Sequence, residues 1–332
     1  MLLYALSNDL IHWKGSFMVK ELIGLDRMCL TVKKEDLLMY NDNCINEFNE
    51  TERAIKIEPS VLNEDLYDVR ITAPKLYAHT NEKNVTGNLL NDLVNVINER
   101  LELYGIMYDI TNANLGSFEI NVNINDIQLY YVLKLIAKAN INDNFKAFYV
   151  ENKDGIQSVK INRTEYLVKV YKKSEHLQEQ FQQVEQDHLV RFEVSTNRTK
   201  EKAKILGNET TLQSLVENWD NVVAWYCRCI NLSIKKPIEK YMKDIEKQVI
   251  VMLEAGLKPR QIIDLMMFRE DLIDLLTIEN AIRKYYKKSK HKHANRDIKA
   301  IHNRLLKLDE ERYQQVKNNI EKFQELYDLI GI

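Results

Sequence analysis

Three short runs of the sequence alternate polar and apolar residues, and their polar positions carry tyrosine, carboxylate and cationic groups. The runs are SFEINVNI (117–124), EYLVKVYKK (165–173) and HLVRFEVST (188–196). Because successive side chains of a strand point to opposite faces, the polar residues of each run share one face. If the three strands pair in one sheet, that face displays Glu119, Lys169, Tyr171, Lys173, Arg191 and Glu193.

These residue types suit phosphodiester chemistry. The carboxylates of Glu119 and Glu193 are ligands that Mg²⁺ and Mn²⁺ accept. A tyrosine hydroxyl can attack phosphorus and become covalently linked, while nearby cations stabilise charge on the phosphate. We also expect Lys169, Lys173 and Arg191 to favour the phenolate form of the tyrosine. The alternative is an antiparallel sheet whose charged face is merely solvated.

The elements that would position these groups are read from the pattern of the first two thirds of the chain. Eight β-like runs cover residues 23–32, 53–59, 66–74, 117–124, 145–151, 157–162, 165–173 and 188–196. Helices are predicted at 87–105, 126–140 and 173–186. This mixture, with hairpin-like neighbours near the middle, predicts an α+β fold with a central antiparallel sheet and packed helices.

Beyond Pro237 the pattern is wholly helical. Pro237 suits the first turn of a helix, and Gly256 suits a helix end. Helices are predicted at 237–255, 258–268, 269–289, 294–307 and 308–329. We therefore predict an N-terminal extension (1–22), an α+β catalytic domain (23–235) and a helical C-terminal domain (236–332).

Several segments, taken in order, resemble the gene II replication proteins of filamentous phages, the CRI family of phage replication proteins. The segments are IGLDRMCLTV (23–32), VRITAPKLYAHTNEKNVTG (69–87), SFEINVNI (117–124), RTEYLVKVYKKSEHLQEQ (163–180), LVRFE (189–193) and LEAGLKPRQIIDL (253–265). Proteins of this family initiate rolling-circle replication. The resemblance implies a site-specific DNA endonuclease, a nickase with strand-joining activity, that cuts a phage or plasmid origin through a covalent 5′-phosphotyrosine.

The resemblance also implies roles for individual residues. The family's tyrosine nucleophile falls on Tyr171, and the acid of its strand is best represented by Glu119. Its arginine and glutamate fall on Arg191 and Glu193, and His79 lies near its histidine. The implied metal ligands are therefore Glu119, Glu193 and His79, holding Mg²⁺ or Mn²⁺.

The match has departures. An ungapped overlay on Ser117 puts Ile120 at the position of the strand acid, so Glu119 requires a shift of one residue. The paired-histidine motif of related nickases is absent, since the triplet at 291–293 reads HKH. His79 is open to two interpretations, a metal ligand or an ordinary loop residue.

The helical third has the clearest charge asymmetry. Between Arg283 and Lys307 there are ten Lys or Arg residues and one acid. The candidates for contacting DNA phosphates are Arg283, Lys284, Lys287, Lys288, Lys290 and Lys292. A solvated helical face or a basic linker would give the same composition. The turn at 256–259 is a further candidate, as part of a helix-turn-helix.

The remaining composition bounds the function classes. The formal net charge is −2, so only the local distribution of charge can favour nucleic acid. Cys227 and Cys229 form a lone CxC without a second pair, which predicts free thiols in place of a zinc site. No apolar run is long enough to span a membrane, the N-terminus does not resemble a signal peptide, and Met18 is an alternative start.

These observations combine into one functional expectation. The partners are origin DNA, single-stranded and duplex, and the host replication machinery, in the bacterial cytoplasm and without a membrane. The alternative is a non-enzymatic DNA-binding replication or regulatory protein of a mobile element, which would use the same sheet and basic helix without chemistry.

Overall fold

The computed structural model describes most of the chain. The described residues are 22–40, 43–78, 84–125, 129–141, 146–153, 155–179, 189–259, 261–262, 272–289 and 299. The predicted helix at 308–329, all but residue 299 of the predicted helix at 294–307, and nearly all of the N-terminal extension lie outside them.

Eleven strands are present in this part of the chain. They are β1 Gly24–Lys33, β2 Leu38–Met39, β3 Ile55–Pro59, β4 Leu66–Thr72, β5 Val85–Thr86, β6 Ile106–Met107, β7 Asn114–Asn125, β8 Lys146–Asn152, β9 Gly155–Asn162, β10 Leu167–Lys172 and β11 Leu189–Thr196. Nine form one sheet in the order β3-β4-β1-β7-β11-β10-β9-β8, with β5 pairing beside β1, and β2 and β6 form a separate ribbon. Every described pairing is antiparallel.

Helices connect and cover these strands. The α-helices are α1 Cys44–Thr51, α2 Ala73–Ala78, α3 Leu90–Leu103, α4 Leu129–Ile141, α5 Lys173–Glu179, α6 Thr199–Leu206, α7 Leu212–Glu217, α8 Trp219–Ile230, α9 Lys236–Glu254 and α10 Leu272–Ser289. A π-helical segment, Asn231–Lys235, joins α8 directly to α9. None of the described helices is long and apolar enough to cross a membrane.

The apolar face of the central strands packs against α8. Phe118 of β7 and Phe192 of β11 are buried there. The ring of Trp225 meets that of Phe118 edge to face, with 5.3 Å between ring centroids. The hydroxyl of Tyr226 donates a hydrogen bond to the carbonyl of Phe192 at 3.0 Å. Because α8 occupies this face, the polar residues of the same strands lie on the opposite side of the sheet.

The predicted α+β fold with a large antiparallel sheet is confirmed, and each of the eight β-like runs contains a strand. Five helices were not predicted: α1, α2, α6, α7 and α8. The helical run Trp219–Glu254 is continuous, so the predicted boundary near residue 235 falls inside it. Pro237 lies in the first turn of α9 but does not follow a break, because the wider π turn before it accommodates a residue that has no N–H.

The apolar side of the sheet should govern stability. Replacing buried Phe118 by alanine is expected to lower the free energy of unfolding by about 3–5 kcal/mol, because it leaves a cavity under α8. Phe148 on edge strand β8 is 54% exposed, so Phe148→Ala is the matched control and should cost well under that. Chemical denaturation measures both, and equal losses would contradict this assignment of the core.

Candidate functional site

Strand pairing brings the predicted polar residues onto one face. Tyr171 lies opposite Arg191, and Lys169 lies opposite Glu193, between β10 and β11. On the other side of β11, Glu193 lies opposite Asn121 of β7, close to Glu119 along the chain. Directly paired residues of an antiparallel sheet share a face, so the predicted juxtaposition is confirmed for the residues on these strands. Lys173 was predicted as a strand residue but is the first residue of α5.

A β-bulge adds a third carboxylate that the sequence analysis missed. The pairing of β1 with β7 shifts between Leu25 and Arg27, which leaves Asp26 as the extra residue. Strict alternation would put Asp26 on the apolar face with Met28, but a bulge re-aims side chains. One carboxylate oxygen each of Asp26, Glu119 and Glu193 lie within 4.8 Å of one another. We call these three residues the carboxylate triad.

Arg191 is part of the framework of this triad. Its side chain is only 1% exposed, and its Nη1 donates to the Asp26 carboxylate at 2.7 Å. Its Nε donates to the Asn123 side chain at 2.7 Å. The expectation that Arg191 contacts a substrate phosphate therefore does not fit this geometry, because the guanidinium is enclosed and already holds Asp26 in place.

Lys169 bridges two members of the triad. Its ammonium group donates to Glu119 at 3.4 Å and makes a short contact with Glu193. Burial alone would lower the pKa of Lys169, but Glu193 and Glu119 outweigh it and leave the pKa raised. Lys169 therefore carries a positive charge at the open side of the triad, where its side chain remains 35% exposed.

Tyr171 contacts the triad through its hydroxyl, which donates a hydrogen bond to Glu193 Oε2 at 3.2 Å. Its ring meets that of His176 edge to face, and the ammonium of Lys173 lies 5.8 Å from the ring centroid. The tyrosine is thus held by strand, helix and carboxylate together, with its oxygen directed at the triad.

The protonation of this tyrosine differs from expectation. Burial raises the pKa of Tyr171; Arg191 opposes this, and the negative charges of Glu193, Asp26 and Glu119 add to the rise. The cations do not produce a phenolate, because burial and the carboxylates around the hydroxyl outweigh them. Lys173 is itself buried, and burial, followed by the charge of Arg191, lowers the pKa of Lys173 to about 8.

The triad is electrostatically crowded. Burial and the neighbouring Glu193 raise the pKa of Glu119 to about 8. For Asp26, burial acts to raise the pKa, but Arg191, hydrogen bonding with Glu119, and Lys173 outweigh it, and the pKa is lowered. Three carboxylates this close are an arrangement that a divalent cation would relieve.

Asn121 provides an independent indication of a ligand site. Its side chain is fully buried, yet neither its Oδ1 nor its Nδ2 has a hydrogen-bond partner among the described residues. Asn121 lies opposite Glu193, on the same face as the triad. An orphaned buried amide costs free energy, and its carbonyl oxygen is a group that Mg²⁺ or Mn²⁺ accepts. The residues present therefore fit a divalent metal.

The other predicted site residues are not part of this cluster in the described structure. His79, Lys290 and Lys292 lie outside the described residues. Arg283, Lys284, Lys287 and Lys288 belong to α10, which packs against α9. Lys284 makes an ion pair with Glu246 of α9 at 3.0 Å.

None of the four cysteines forms a disulfide bond. Burial raises the pKa of the Cys227 thiol to about 11. Burial raises the pKa of Cys229 as well. Both thiols of the CxC pair are therefore protonated near neutral pH, and a protonated thiol is a poor metal ligand.

No protein-family model matches the chain, and no curated protein matches it significantly. The functional interpretation therefore depends on the geometry of the triad and Tyr171.

The raised pKa of Glu119 makes a prediction about metal binding. Mn²⁺ should raise the melting temperature of the protein, and the rise should be larger at pH 8.5 than at pH 6.5. The reason is that the metal competes with the proton on Glu119, which costs about tenfold in apparent affinity per pH unit below the pKa of about 8. Thermal unfolding with and without Mn²⁺ measures this. Glu119→Gln should lose the effect and the exposed control Glu102→Gln should keep it; a metal response unchanged in Glu119→Gln would contradict the site.

The raised pKa of Glu119 also predicts that this residue destabilises the metal-free protein at high pH. The pKa of Glu119 is about 8 in the folded protein against an ordinary value of 4.5, so its contribution is favourable at low pH and is lost as pH rises towards 8. In EDTA at pH 8, Glu119→Gln should therefore melt at a higher temperature than wild type, and the two should converge near pH 4.5. A variant that melts lower than wild type at pH 8 would be incompatible with this account.

Proposed function

We propose that the protein is a DNA-nicking enzyme that initiates rolling-circle replication, with Tyr171 as its nucleophile. The observation that carries the proposal is the hydrogen bond from the Tyr171 hydroxyl to Glu193 within the carboxylate triad. A tyrosine oxygen beside a set of metal-ligating carboxylates is what covalent phosphodiester cleavage requires. The resemblance of the tyrosine segment to gene II-type initiators supports the same assignment.

The ligands proposed for Mg²⁺ or Mn²⁺ are Asp26, Glu119 and Glu193, with the Asn121 side-chain oxygen available beside them. Asp26 is thus a third carboxylate ligand beside Glu119 and Glu193. His79 lies outside the described residues and stays a predicted ligand. When bound, the metal would act as a Lewis acid that polarises the scissile phosphate.

The proposed nicking step involves one proton transfer between protein residues and the cleavage of one phosphodiester bond. The Tyr171 oxygen attacks phosphorus, and its proton passes to Glu193, which already accepts the hydroxyl hydrogen bond. The P–O3′ bond breaks as the O–P bond to tyrosine forms. The 3′ oxygen takes up a proton from solvent, which leaves a 5′-phosphotyrosyl link and a free 3′-OH. Attack of a 3′-OH on the phosphotyrosine reverses the step and joins strands.

The neighbouring cations have different tasks in this scheme. Lys169 remains partly exposed and charged, so it is the cation positioned to contact substrate phosphate. Arg191 is buried and acts by orienting Asp26. Lys173 lies over the tyrosine ring and limits its rotation while its charge offsets that of the triad.

In the cell, the free 3′-OH would prime leading-strand synthesis by a host polymerase at a phage or plasmid origin in the bacterial cytoplasm. The basic residues of α10 and the segment beyond it are the proposed contacts to duplex origin DNA. A non-enzymatic DNA-binding protein would need the same basic surface but would have no use for Tyr171 beside the triad.

Nicking of a supercoiled plasmid tests the proposal directly. With Mn²⁺ and a plasmid carrying the cognate origin, the protein should convert supercoiled DNA to open circle and become covalently attached to labelled DNA. Tyr171→Phe should lower the rate by about a thousandfold or more, because it removes the nucleophile. Gel mobility and detection of the protein–DNA adduct measure both.

The matched control is Tyr149→Phe, which changes a half-exposed tyrosine on edge strand β8. It should nick at the wild-type rate. Full nicking and adduct formation by Tyr171→Phe would assign the chemistry to another residue, and origin binding with no nicking by wild type in Mn²⁺ or Mg²⁺ would favour the non-enzymatic alternative.

A further inference from the structure

A cleft of about 750 Å³ opens beside the carboxylate triad, on the polar side of the sheet. Glu119 is shared between the cleft and the triad. The rest of the lining comes from β1, β4 and β7, from the turn between β9 and β10, and from the end of β11. The cleft therefore runs along the sheet and reaches the proposed metal site at Glu119.

The charge of this cleft is positive although the chain as a whole is slightly acidic. Four arginines line it, against the two carboxylates Glu119 and Glu165; the arginines are Arg27, Arg70, Arg163 and Arg198. Such a local excess of guanidinium groups attracts phosphate groups.

Two of the arginines are held in place by backbone carbonyls. Arg198 donates from Nε to the carbonyl of Thr164 at 3.2 Å. Arg163 donates from Nη2 to the carbonyl of Leu232, in the π-helical segment, at 3.0 Å. Arg27 is exposed and lies opposite Glu119 in the pairing of β1 with β7. Oriented guanidinium groups lose less entropy when they bind an anion.

Arg70 is a weaker candidate for phosphate binding than the other three arginines of the cleft. It makes an ion pair with Glu58 at 3.0 Å, and both side chains are about half exposed. Exposed ion pairs of this kind are weak, so Arg70 can still attract an anion in the cleft. Glu58 nevertheless offsets part of the positive charge that Arg70 brings to it. Arg27, Arg163 and Arg198 therefore carry the inference.

We propose that these three arginines form a phosphate-binding groove that guides an unpaired nucleic-acid strand to Glu119 and Tyr171. The proposal rests on the nicking function and adds to it the path of the scissile strand. A cleft of this volume is in the range that encloses a drug-sized molecule, so it admits a few nucleotides of one strand and excludes a duplex. The half-buried position of Tyr171 on the sheet imposes the same restriction.

Neutral polar side chains complete the groove. Asn162, Thr164, Ser195 and Asn197 line it between the arginines. These groups donate and accept hydrogen bonds, so they suit the edges of unpaired bases. Backbone phosphates would thus meet the arginines while bases meet amides and hydroxyls.

Binding without cleavage tests the groove. The Tyr171→Phe protein in EDTA is titrated into fluorescein-labelled oligo(dT) and into a hairpin duplex, with anisotropy measured over a series of salt concentrations. Adding Arg27→Gln and Arg198→Gln should weaken binding of the single strand about tenfold or more and reduce its salt slope by roughly 0.7 for each phosphate that the variant no longer neutralises. Binding of the hairpin should change much less, because the proposed contacts to duplex DNA are the basic residues of α10 and the segment beyond it.

The control pair Arg53→Gln and Lys243→Gln removes the same charge from exposed positions outside the cleft and should change neither quantity much. Equal weakening of single-strand binding by both pairs, or equal weakening of single-strand and hairpin binding by the Arg27/Arg198 pair, would overturn the groove. Its failure is separable from that of the nicking function. If the Arg27/Arg198 variant still nicks DNA and binds the single strand as tightly as before, only the groove proposal is contradicted. If strand binding depends on these arginines but the wild-type protein does not nick, only the nicking proposal is contradicted.

Discussion

The buried ion pair between Asp26 and Arg191 is the contact around which the polar side of the sheet is organised. Asp26 belongs to β1 and Arg191 to β11, and β7 lies between them, so the two side chains meet above the intervening strand. Taking two charges out of water is costly, and removing one partner would leave the other buried and uncompensated, at about 3–5 kcal/mol. The pair therefore fixes three adjacent strands and the bulge in a single arrangement, which also sets the position of the triad.

Around this ion pair, the proposed active site contains electrostatic interactions that are unfavourable to folding. Glu119 is mostly enclosed beside Glu193 and has a pKa far above its usual range, and the Asn121 side chain is without a described partner. Such features are costly to a free-standing fold and are typical of preorganised sites. The opposite face, where Phe118 and Trp225 meet, supplies the apolar packing that holds the polar face in place.

Period-two alternation was sufficient to predict which residues share the polar face, because strand pairing preserves it from β7 to β10. It could not predict Asp26, because a bulge breaks the alternation and pattern alone does not reveal an extra residue. Nor could it predict that Arg191 is enclosed while Lys169 stays open, since burial on the polar face depends on what packs over it. The sign of the shift in the Tyr171 pKa failed for the same reason: burial was not visible in the pattern, and with Asp26 missing, the negative charge around the hydroxyl was undercounted.

The π-helical segment Asn231–Lys235 has a consequence for how the helical region is built. A π turn holds one residue more than an α turn, so deleting a single residue there would restore an unbroken α-helix. Every residue of α9 would then rotate by about 100° around the helix axis, since an α-helix has about 3.6 residues per turn. Ile238, Ile245 and Val249, now buried, would turn away from their partners. The one extra residue of the π turn thus determines which face of the long helix α9 is buried. Leu232 belongs to the same π-helical segment, and its carbonyl is the one that orients Arg163.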